Sequence, residues 1–185
     1  MIYPIVLYGS PVLRKETKEI DANYENLAEI IDNMWETMYN AEGVGLAAPQ
    51  VGLDISLFIV DGSGMVEDFP ELEDFKRVFI NAEIIEESDE TERDFEGCLS
   101  IPGIREEVSR PHRIRIKYLD ENFVEHDEIY EGFGARIIQH EYDHIEGVLF
   151  TDHLSILTKR LIKSKLNSIS QGKVNVDYRV RALSK

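Results

Sequence analysis

The amino-acid sequence predicts an α+β fold in which antiparallel sheets pack around a central helix and a C-terminal amphipathic helix follows. Three features of the sequence support this fold. Short strand-like segments occur between residues 55 and 130, and 113–118 alternates polar and apolar side chains as a half-buried antiparallel strand does. A helical segment at 132–145 carries an H-E-x-x-H motif. A final segment at about 152–170 has apolar residues at helical spacing.

The composition indicates a single globular domain over residues 1–185. The chain is 43% hydrophobic and 30% charged, and no linker rich in Pro, Gly or Ser divides it. Its single cysteine, Cys98, excludes an internal disulfide and favours a reducing compartment. No apolar run approaches the ~20 residues that a membrane span needs, and the first residues lack the features of a signal peptide. We therefore expect a soluble, cytoplasmic protein with no membrane partner.

Charge is distributed unevenly along the chain. The 36 acidic and 20 basic side chains give a net charge of −16, which argues against nucleic-acid binding by the whole surface. The segment at about 152–185 is predicted to be a basic helix and tail. Residues 153–185 hold eight basic side chains and one acidic, which leaves 12 basic and 35 acidic side chains for 1–152. The tail is therefore at +7 and the body at −23.

The elements follow in this order. A first helix is predicted at about 23–41, with Asp21 or Asn23 as its N-cap, and Gly43 and Gly45 end it. Strands are predicted at 55–60, 77–81, 83–86, 113–118 and 123–130, and the turn at 120–122 joins the last two as a hairpin.

Two later segments complete the pattern. An acidic stretch from Glu67 to Glu73 is predicted to be a solvated surface loop. In the last helix, the apolar stripe is predicted to consist of Leu154, Leu157 and Leu161.

The H-E-x-x-H motif is the first candidate for chemistry. Residues four apart share one face of a helix, so His140 and His144 can reach a single metal ion. Glu141 then lies beside the metal, where it can handle the protons of a water. The alternative is that the two histidines pair with surface acids, since the motif alone is only moderately specific.

The identity of the third ligand decides the class of site. The metzincin pattern places a third histidine where this chain has Phe150, and no glutamate follows Glu146. His153 remains a formal candidate, although a capping or surface role suits it better. The stronger candidate is Cys98 in the segment E-G-C-L-S, whose glycine suits a tight turn. One cysteine and two histidines leave a fourth position open, as catalytic rather than structural sites do.

A third segment is G-V-G-L-A-A-P-Q, from Gly43 to Gln50. Its glycines let a substrate strand approach the backbone closely. Gln50 supplies an uncharged amide donor that suits an oxyanion. The segment lacks the G-K-[ST] ending of a phosphate-binding loop.

Together, G-V-G-L-A-A-P-Q, E-G-C-L-S and H-E-Y-D-H closely resemble the peptide deformylase family in sequence and order. That family removes the formyl group from the N-terminal methionine of new bacterial proteins. The resemblance extends from Tyr8 to the last helix. The acidic stretch resembles an insertion, and the tail beyond Gly172 is harder to match.

The resemblance implies a metal site and a set of catalytic roles. Cys98, His140 and His144 would bind one divalent ion, Fe²⁺ in the cell, with Zn²⁺, Ni²⁺ or Co²⁺ possible in a purified sample. Water activated at the metal would attack the formyl carbon, and Glu141 would act as general acid and base. The Leu99 N–H and the Gln50 side chain would stabilise the oxyanion.

The resemblance also implies a substrate site for N-formyl-methionyl nascent peptides. The peptide would add as a strand to Val44 and Gly45. The methionine side chain would enter an apolar pocket, and Arg105 would contact the substrate backbone unless it is an ordinary surface charge. An ion pair between Glu96 and Arg110 would brace the cysteine turn. The pocket positions on the helix are Phe133, Arg136 (through its aliphatic stem) and Ile137.

Other interpretations remain open at the level of sequence. One is a metallopeptidase that cleaves ordinary peptide bonds, and another is a domain whose metal only holds the fold, with His112, His126 or His153 as a fourth ligand. A deformylase paralogue without activity is a third, which the intact Gln50 and Glu141 oppose. The basic tail suits docking on ribosomal RNA, without recognition of a specific nucleic-acid sequence. Its alternative is a solvated helix face that pairs with the acidic body.

Overall fold

The computed structural model describes residues 1–183, which form three α-helices and nine strands. The helices are α1 (Leu27–Asn40), α2 (Gly132–Ile145) and α3 (Ile156–Ser170). The strands are β1 (Ile5–Val6), β2 (Gly45–Ala47), β3 (Leu57–Asp61), β4 (Lys76–Glu87), β5 (Thr91–Cys98), β6 (Ile101–Pro111), β7 (Arg113–Leu119), β8 (Glu125–Glu131) and β9 (Val180–Arg181).

The strands form three sheets. The largest is antiparallel and has five strands in the order β2-β3-β4-β7-β8. Strands β5 and β6 form a separate antiparallel hairpin, and β1 pairs with β9 in parallel. The predicted α+β class with antiparallel sheets is therefore confirmed. Helix α2 contacts β2, β3, β7 and β8 on one side and β6 on the other, which places it between the large sheet and the hairpin.

The core is built on both sides of α2. Its buried Ile137 and Ile138 pack with Phe58 and Phe79 of the large sheet, whose rings stack at 4.6 Å. A second cluster beneath α1 contains Met34 and other apolar residues of α1, β2 and β3. A third cluster joins β1, the β6 hairpin and α3.

The hairpin of β5 and β6 was not predicted from the sequence. Most of β5 is exposed or half-buried, so its side chains do not alternate between apolar and polar. Backbone pairing from Thr91–Pro111 to Cys98–Ile101 holds the two strands together. The pattern that reveals a half-buried strand is therefore missing here, although the hairpin carries Cys98.

Strand β4 corrects a second prediction, because 77–81 and 83–86 belong to one strand. The pairing with β7 shifts between Ile80 and Glu83, where Asn81 adopts a left-handed backbone at φ 50°. The Asn81 side chain accepts a hydrogen bond from the Ile20 N–H at 3.0 Å and donates one to the Ile20 carbonyl at 2.8 Å. These contacts explain how the strand continues through an irregular residue.

The predicted start of the first helix is wrong by about one turn. Helix α1 begins at Leu27, after Asn26 in a left-handed conformation at φ 58°, and no side chain caps it. Its end precedes Gly43, because the chain already turns at Glu42, where φ is 55°. A left-handed residue before the first turn prevents the helix from extending back to 23–26.

The predicted stripe on the last helix is only partly correct. Helix α3 begins at Ile156, with the Ser155 side chain accepting from the Thr158 N–H at 3.1 Å, and 150–153 form a separate 3₁₀ turn. Leu154 is buried, but Leu157 and Leu161 are 67% and 75% exposed. The helix packs through Ile162 and Ile169 instead. Apolar residues occur on both faces of this helix, so periodicity did not identify the packed one.

The acidic stretch is not entirely a solvated loop. Leu72 is buried, and the Phe69 ring stacks on Phe133 of α2 at 4.1 Å. The acidic side chains point outward while two apolar residues anchor the segment. Separately, none of the helices within residues 1–183 has the length and apolar character to cross a bilayer.

We expect Asn81→Ala to lower the free energy of unfolding by about 2–3 kcal/mol. The substitution removes two partly buried hydrogen bonds, each contributing about 1 kcal/mol. It also places alanine, which lacks the polar side chain that favours this conformation, in the left-handed region. Urea denaturation measures the loss. Asn122→Ala, in the exposed turn before β8, is the matched control and should change the value by less than about 0.5 kcal/mol. Equal effects of the two substitutions would show that the Asn81 contacts do not stabilise the fold.

Candidate active site

The predicted ligands lie together at the junction of β5 and α2. Cys98 ends β5, and His140 and His144 lie one turn apart on α2. The Sγ of Cys98 is 3.3 Å from Nε2 of His144, and one ligand atom from each of the three side chains lies within 4.8 Å of the others. Helical spacing and the hairpin end thus converge on one point.

This group fits a divalent metal ion. A thiolate and two imidazoles are ligands that Fe²⁺, Zn²⁺, Ni²⁺ and Co²⁺ accept. No fourth His, Cys, Asp or Glu joins the group within the described residues 1–183, so a coordination position would stay open. Burial alone would raise the pKa of the Cys98 thiol, but the neighbouring His144 and His140 lower it to about 5. The thiol is therefore prepared to bind as a thiolate.

Glu96 orients the first histidine. Its Oε2 lies 3.0 Å from Nδ1 of His140, which leaves Nε2 of that ring for the metal. Arg110 donates to both carboxylate oxygens of Glu96, at 2.6 and 2.9 Å, and a third nitrogen of Arg110 donates to Asp143 at 2.9 Å. Although burial opposes ionisation, Arg110 and His140 hold the pKa of Glu96 well below its usual range. The sequence-based pairing of Glu96 with Arg110 is present in the structure.

Arg136 was predicted to line the pocket mostly through its aliphatic stem. It borders the cavity, but its guanidinium lies within the protein and donates to Glu96 at 2.9 Å. It also donates to the carbonyls of Val108 and Glu92, at 3.0 and 2.8 Å. Arg136 is thus a second cationic partner of Glu96, and it joins α2 to both strands of the hairpin. A contribution of mostly the aliphatic stem to the pocket is compatible with this position and stays a prediction.

The glycine-rich segment packs directly on the catalytic candidates. A Cβ at Gly45 would lie only 2.5 Å from Oε1 of Glu141, and a Cβ at Gly43 would lie 2.9 Å from Cδ1 of Leu99. Real side chains essentially never approach so closely. The absence of side chains at both positions therefore lets β2 approach α2 and the cysteine turn together.

Gln50 points its amide nitrogen at the ligand group. Its Oε1 accepts from the Ala47 N–H at 2.9 Å, which determines the orientation of the amide. Its Nε2 then faces the Sγ of Cys98 at 3.4 Å and the hydroxyl of Ser100 at 3.3 Å. The side chain is buried, so this donor is held in place before any substrate arrives.

Glu141 is the buried carboxylate of the site. It is 4% exposed, and its Oε2 has no hydrogen-bond partner among the described residues. Burial raises the pKa of Glu141 to about 7, although His140 and His144 oppose the change. A carboxylate with a pKa near neutrality can both accept and return a proton.

A cavity of about 570 Å³ opens beside this group. The predicted site residues that line it are Val44, Gly45, Gln50, Cys98, Leu99, Arg105, Phe133, Arg136, Ile137, His140 and Glu141. His144 lies behind them and is buried. Arg105 is exposed at the rim, and no salt bridge is found for it among the described residues.

Nine lining residues were not predicted: Glu42, Met65, Phe95, Ile101, Pro102, Gly103, Ile104, Val176 and Tyr178. Phe95 is 55% exposed on β5, which had no strand signal. Val176 and Tyr178 belong to the tail, where no local motif indicates proximity to residues 43–50 or 96–100. The one available sequence signal was the position of Phe95, an apolar residue directly before E-G-C-L-S, which would have identified Phe95 but none of the others.

The other histidines do not contribute ligands. His153 binds Asp143 at 2.8 Å, His126 binds Asp120 at 2.8 Å, and His112 lies 3.0 Å from Glu92. The Phe150 ring stacks against His140 at a centroid distance of 5.9 Å. A closed four-residue site with one of these three histidines is therefore not formed.

An open three-residue ligand group beside a buried carboxylate is typical of hydrolases that use a metal ion. Comparison with protein families places the chain within that class, because the model of polypeptide deformylase matches residues 2–160. The chain therefore belongs to the polypeptide deformylase family, and it is an enzyme of that family.

Individual relatives agree with this assignment. A peptide deformylase of Christiangramia forsetii is 57% identical over 188 residues, covering 98% of this chain and 96% of the relative. One from Flavobacterium psychrophilum is 54% identical and covers 100% of this chain and 99% of the relative. The similarity thus includes the tail beyond residue 160.

Solved structures show the same fold. A peptide deformylase of Arabidopsis thaliana, in complex with an inhibitor, has a TM-score of 0.81 at 36% identity, covering 96% of this chain and 98% of that one. The enzyme of Thermotoga maritima has a TM-score of 0.74 at 43% identity, covering 84% of this chain and 99% of the other.

We expect Gly45→Ala to lower kcat about 100-fold and to leave the metal content unchanged. The added methyl group would displace the Glu141 carboxylate, and a displacement of about 1 Å in a catalytic group costs about that factor. Steady-state kinetics and metal analysis measure the two quantities. Gly64→Ala is the matched control, because a Cβ there meets no atom within 4 Å. A wild-type kcat in Gly45→Ala would show that catalysis does not depend on the Glu141 carboxylate in the position next to Gly45.

Proposed function

We propose that this enzyme removes the formyl group from the N-terminal formyl-methionine of newly synthesised proteins and releases formate. The observation that carries the proposal is the position of Glu141, buried beside the Cys98, His140 and His144 group and open to the cavity. Membership of the polypeptide deformylase family supports the reaction. The roles of individual residues follow from the resemblance to that family together with the positions of their side chains.

Cys98, His140 and His144 would hold one divalent metal ion. When bound, the ion supplies Lewis-acid chemistry, since it can lower the pKa of a water to about 7. We infer Fe²⁺ in the cell, while Zn²⁺, Ni²⁺ or Co²⁺ could occupy the same ligands in a purified sample. Glu96 keeps the His140 ring oriented for this role.

Glu141 moves the proton. Its carboxylate, buried beside the Cys98, His140 and His144 group, accepts a proton from the attacking water and returns it to the nitrogen that leaves. Formyl transfer to water then gives formate and a free N-terminal amine. Its Oε2 has no hydrogen-bond partner among the described residues, so the protein does not occupy the hydrogen-bonding capacity of this oxygen.

Two donors stabilise the oxyanion that forms on the formyl group. They are the backbone N–H of Leu99 and Nε2 of Gln50, which the Ala47 contact holds in place. Removing one such donor typically costs about 3 kcal/mol of barrier. Because the Gln50 amide is oriented beforehand, no reorganisation is needed when charge develops.

The peptide binds along β2. Its backbone pairs with Val44 and Gly45 as an added strand, which leaves the methionine side chain to enter the apolar wall of Phe133 and Ile137. Phe69 supports Phe133 from behind. Arg105 at the rim contacts the substrate backbone.

We expect the purified, reduced and Fe²⁺-loaded protein to release formate from a formyl-methionyl tripeptide. Chelation should abolish the activity and Fe²⁺ should restore it. Glu141→Gln should retain the metal and lose at least about 100-fold in kcat, since general acid–base catalysis contributes about that much. Formate assays with parallel metal analysis measure both.

Two controls make this test decisive. The unformylated tripeptide should remain intact, and its cleavage would favour the metallopeptidase alternative. Glu146→Gln, on the partly exposed carboxylate that follows α2, should leave kcat near the wild-type value. A folded, metal-loaded protein that releases no formate would overturn the proposed function.

The basic tail is proposed to bring the enzyme to its substrate on the ribosome. Within the described part of the chain, none of its lysines and arginines forms an ion pair with an acidic side chain. Lys159, Lys165 and Arg179 donate to backbone carbonyls of the body instead. Arg160 and Lys163 are exposed, and so are Ile156, Leu157 and Leu161, at 72%, 67% and 75%. Since the substrates are nascent chains, we also infer a cytoplasmic location.

We expect Arg160→Glu combined with Lys163→Glu to lower ribosome binding in low-salt co-sedimentation by about tenfold or more, with kcat on a free peptide unchanged. Reversing two charges near phosphates removes attraction and adds repulsion. Lys15→Glu combined with Lys117→Glu makes the same change in net charge elsewhere on the surface. Equal binding by both double variants would exclude docking through α3.

A further inference from the structure

The C-terminal segment at 173–181 returns to the active site after α3 ends. Its strand β9 pairs with β1 in parallel, and the Ile5 and Leu7 N–H groups donate to the carbonyls of Arg179 and Arg181, at 2.8 and 3.0 Å. The segment is therefore attached to the N-terminal strand by backbone hydrogen bonds. It lies beyond residue 160, where the match to the family model ends.

This attachment brings Tyr178 to the cysteine turn. The Tyr178 hydroxyl donates to the Leu99 carbonyl at 2.8 Å, and the ring lines the cavity together with Val176. The contact spans 79 positions in the chain. It touches the residue whose N–H is inferred to stabilise the oxyanion.

The surroundings of Leu99 explain what this hydrogen bond does. The next carbonyl, of Ser100, accepts from the Tyr8 N–H at 2.8 Å, and the Leu99 side chain packs against Gly43. The end of β5 that leads into this turn has a register shift between Glu96 and Cys98, so the ladder there is irregular. The Tyr178 hydroxyl contacts the Leu99 carbonyl directly. That carbonyl is linked to the Leu99 N–H through the backbone angles of Leu99.

We propose that Tyr178 is a positioning residue that holds the Cys98–Leu99 turn in the geometry needed for oxyanion stabilisation. The proposal rests on the proposed function for its catalytic consequence. It differs from simple packing of the ring, because the hydroxyl group and not the ring carries the effect.

The test compares Tyr178→Phe, which removes only the hydroxyl, with Tyr178→Ala and with Tyr24→Phe as the matched control. Tyr24 packs against the α1 cluster, away from the cavity. On a formyl-methionyl tripeptide, Tyr178→Phe should lower kcat about tenfold and change KM less than twofold. The reason is that the Leu99 N–H, which is inferred to bind the oxyanion of the transition state more strongly than the substrate, is displaced. Tyr24→Phe should match the wild type. Wild-type kcat in Tyr178→Phe with a large loss in Tyr178→Ala would reduce the role to packing and overturn the proposal.

A second measurement does not need activity. Cys98 is the only cysteine, so its alkylation by iodoacetamide in metal-free protein reports on this turn alone. At fixed pH, Tyr178→Phe should be alkylated about threefold faster or more, since the turn opens more often, and Tyr24→Phe at the wild-type rate. Unchanged alkylation in Tyr178→Phe would overturn the proposal. Faster alkylation in a protein whose wild type releases no formate would support the positioning role and show that the proposed function had failed.

Discussion

The site depends on one buried carboxylate. Glu96 accepts hydrogen bonds from Arg110 and Arg136 and lies against the His140 ring, so it joins both strands of the hairpin to α2. A buried charge of this kind is tolerated only while its partners remain, and loss of one partner typically costs about 3–5 kcal/mol. The same carboxylate sets the direction of His140. The network therefore couples the integrity of the hairpin–helix junction to the geometry of the ligand group.

Close backbone approach is the second requirement. Gly43 and Gly45 allow β2 to contact Leu99 and Glu141 at distances that any side chain would prevent. Three segments that are distant in the chain, 43–50, 96–100 and 140–144, thereby share one cavity wall. Protein interiors transmit such constraints because they are densely packed. A methyl group at Gly45 would act on Glu141, which is nearly 100 positions later in the sequence.

The hydrogen bonds of Glu96 and the contact made by the C-terminal tail orient different parts of the site. Glu96 and its arginines determine where the imidazole lies, whereas Gln50 and the Leu99 turn determine where donors point. Gln50 is oriented locally, by an N–H three residues away, but the Leu99 carbonyl is contacted from the tail. The segment that closes the chain thus borders the same cavity as the segments that carry the motifs.

The sequence by itself determined the α+β class, helix α2, the hairpin of β7 and β8, and eleven of the residues that line the cavity. These follow from periodicity and motif spacing, which act within one element. Only the tertiary structure decided that β5 and β6 pair, that the Arg136 guanidinium turns inward to Glu96, that Leu157 and Leu161 face outward, and that Tyr178 reaches Leu99. The physical reason is that such contacts depend on how elements pack against each other. Local pattern records which face of an element is apolar, but not which neighbour that face will meet.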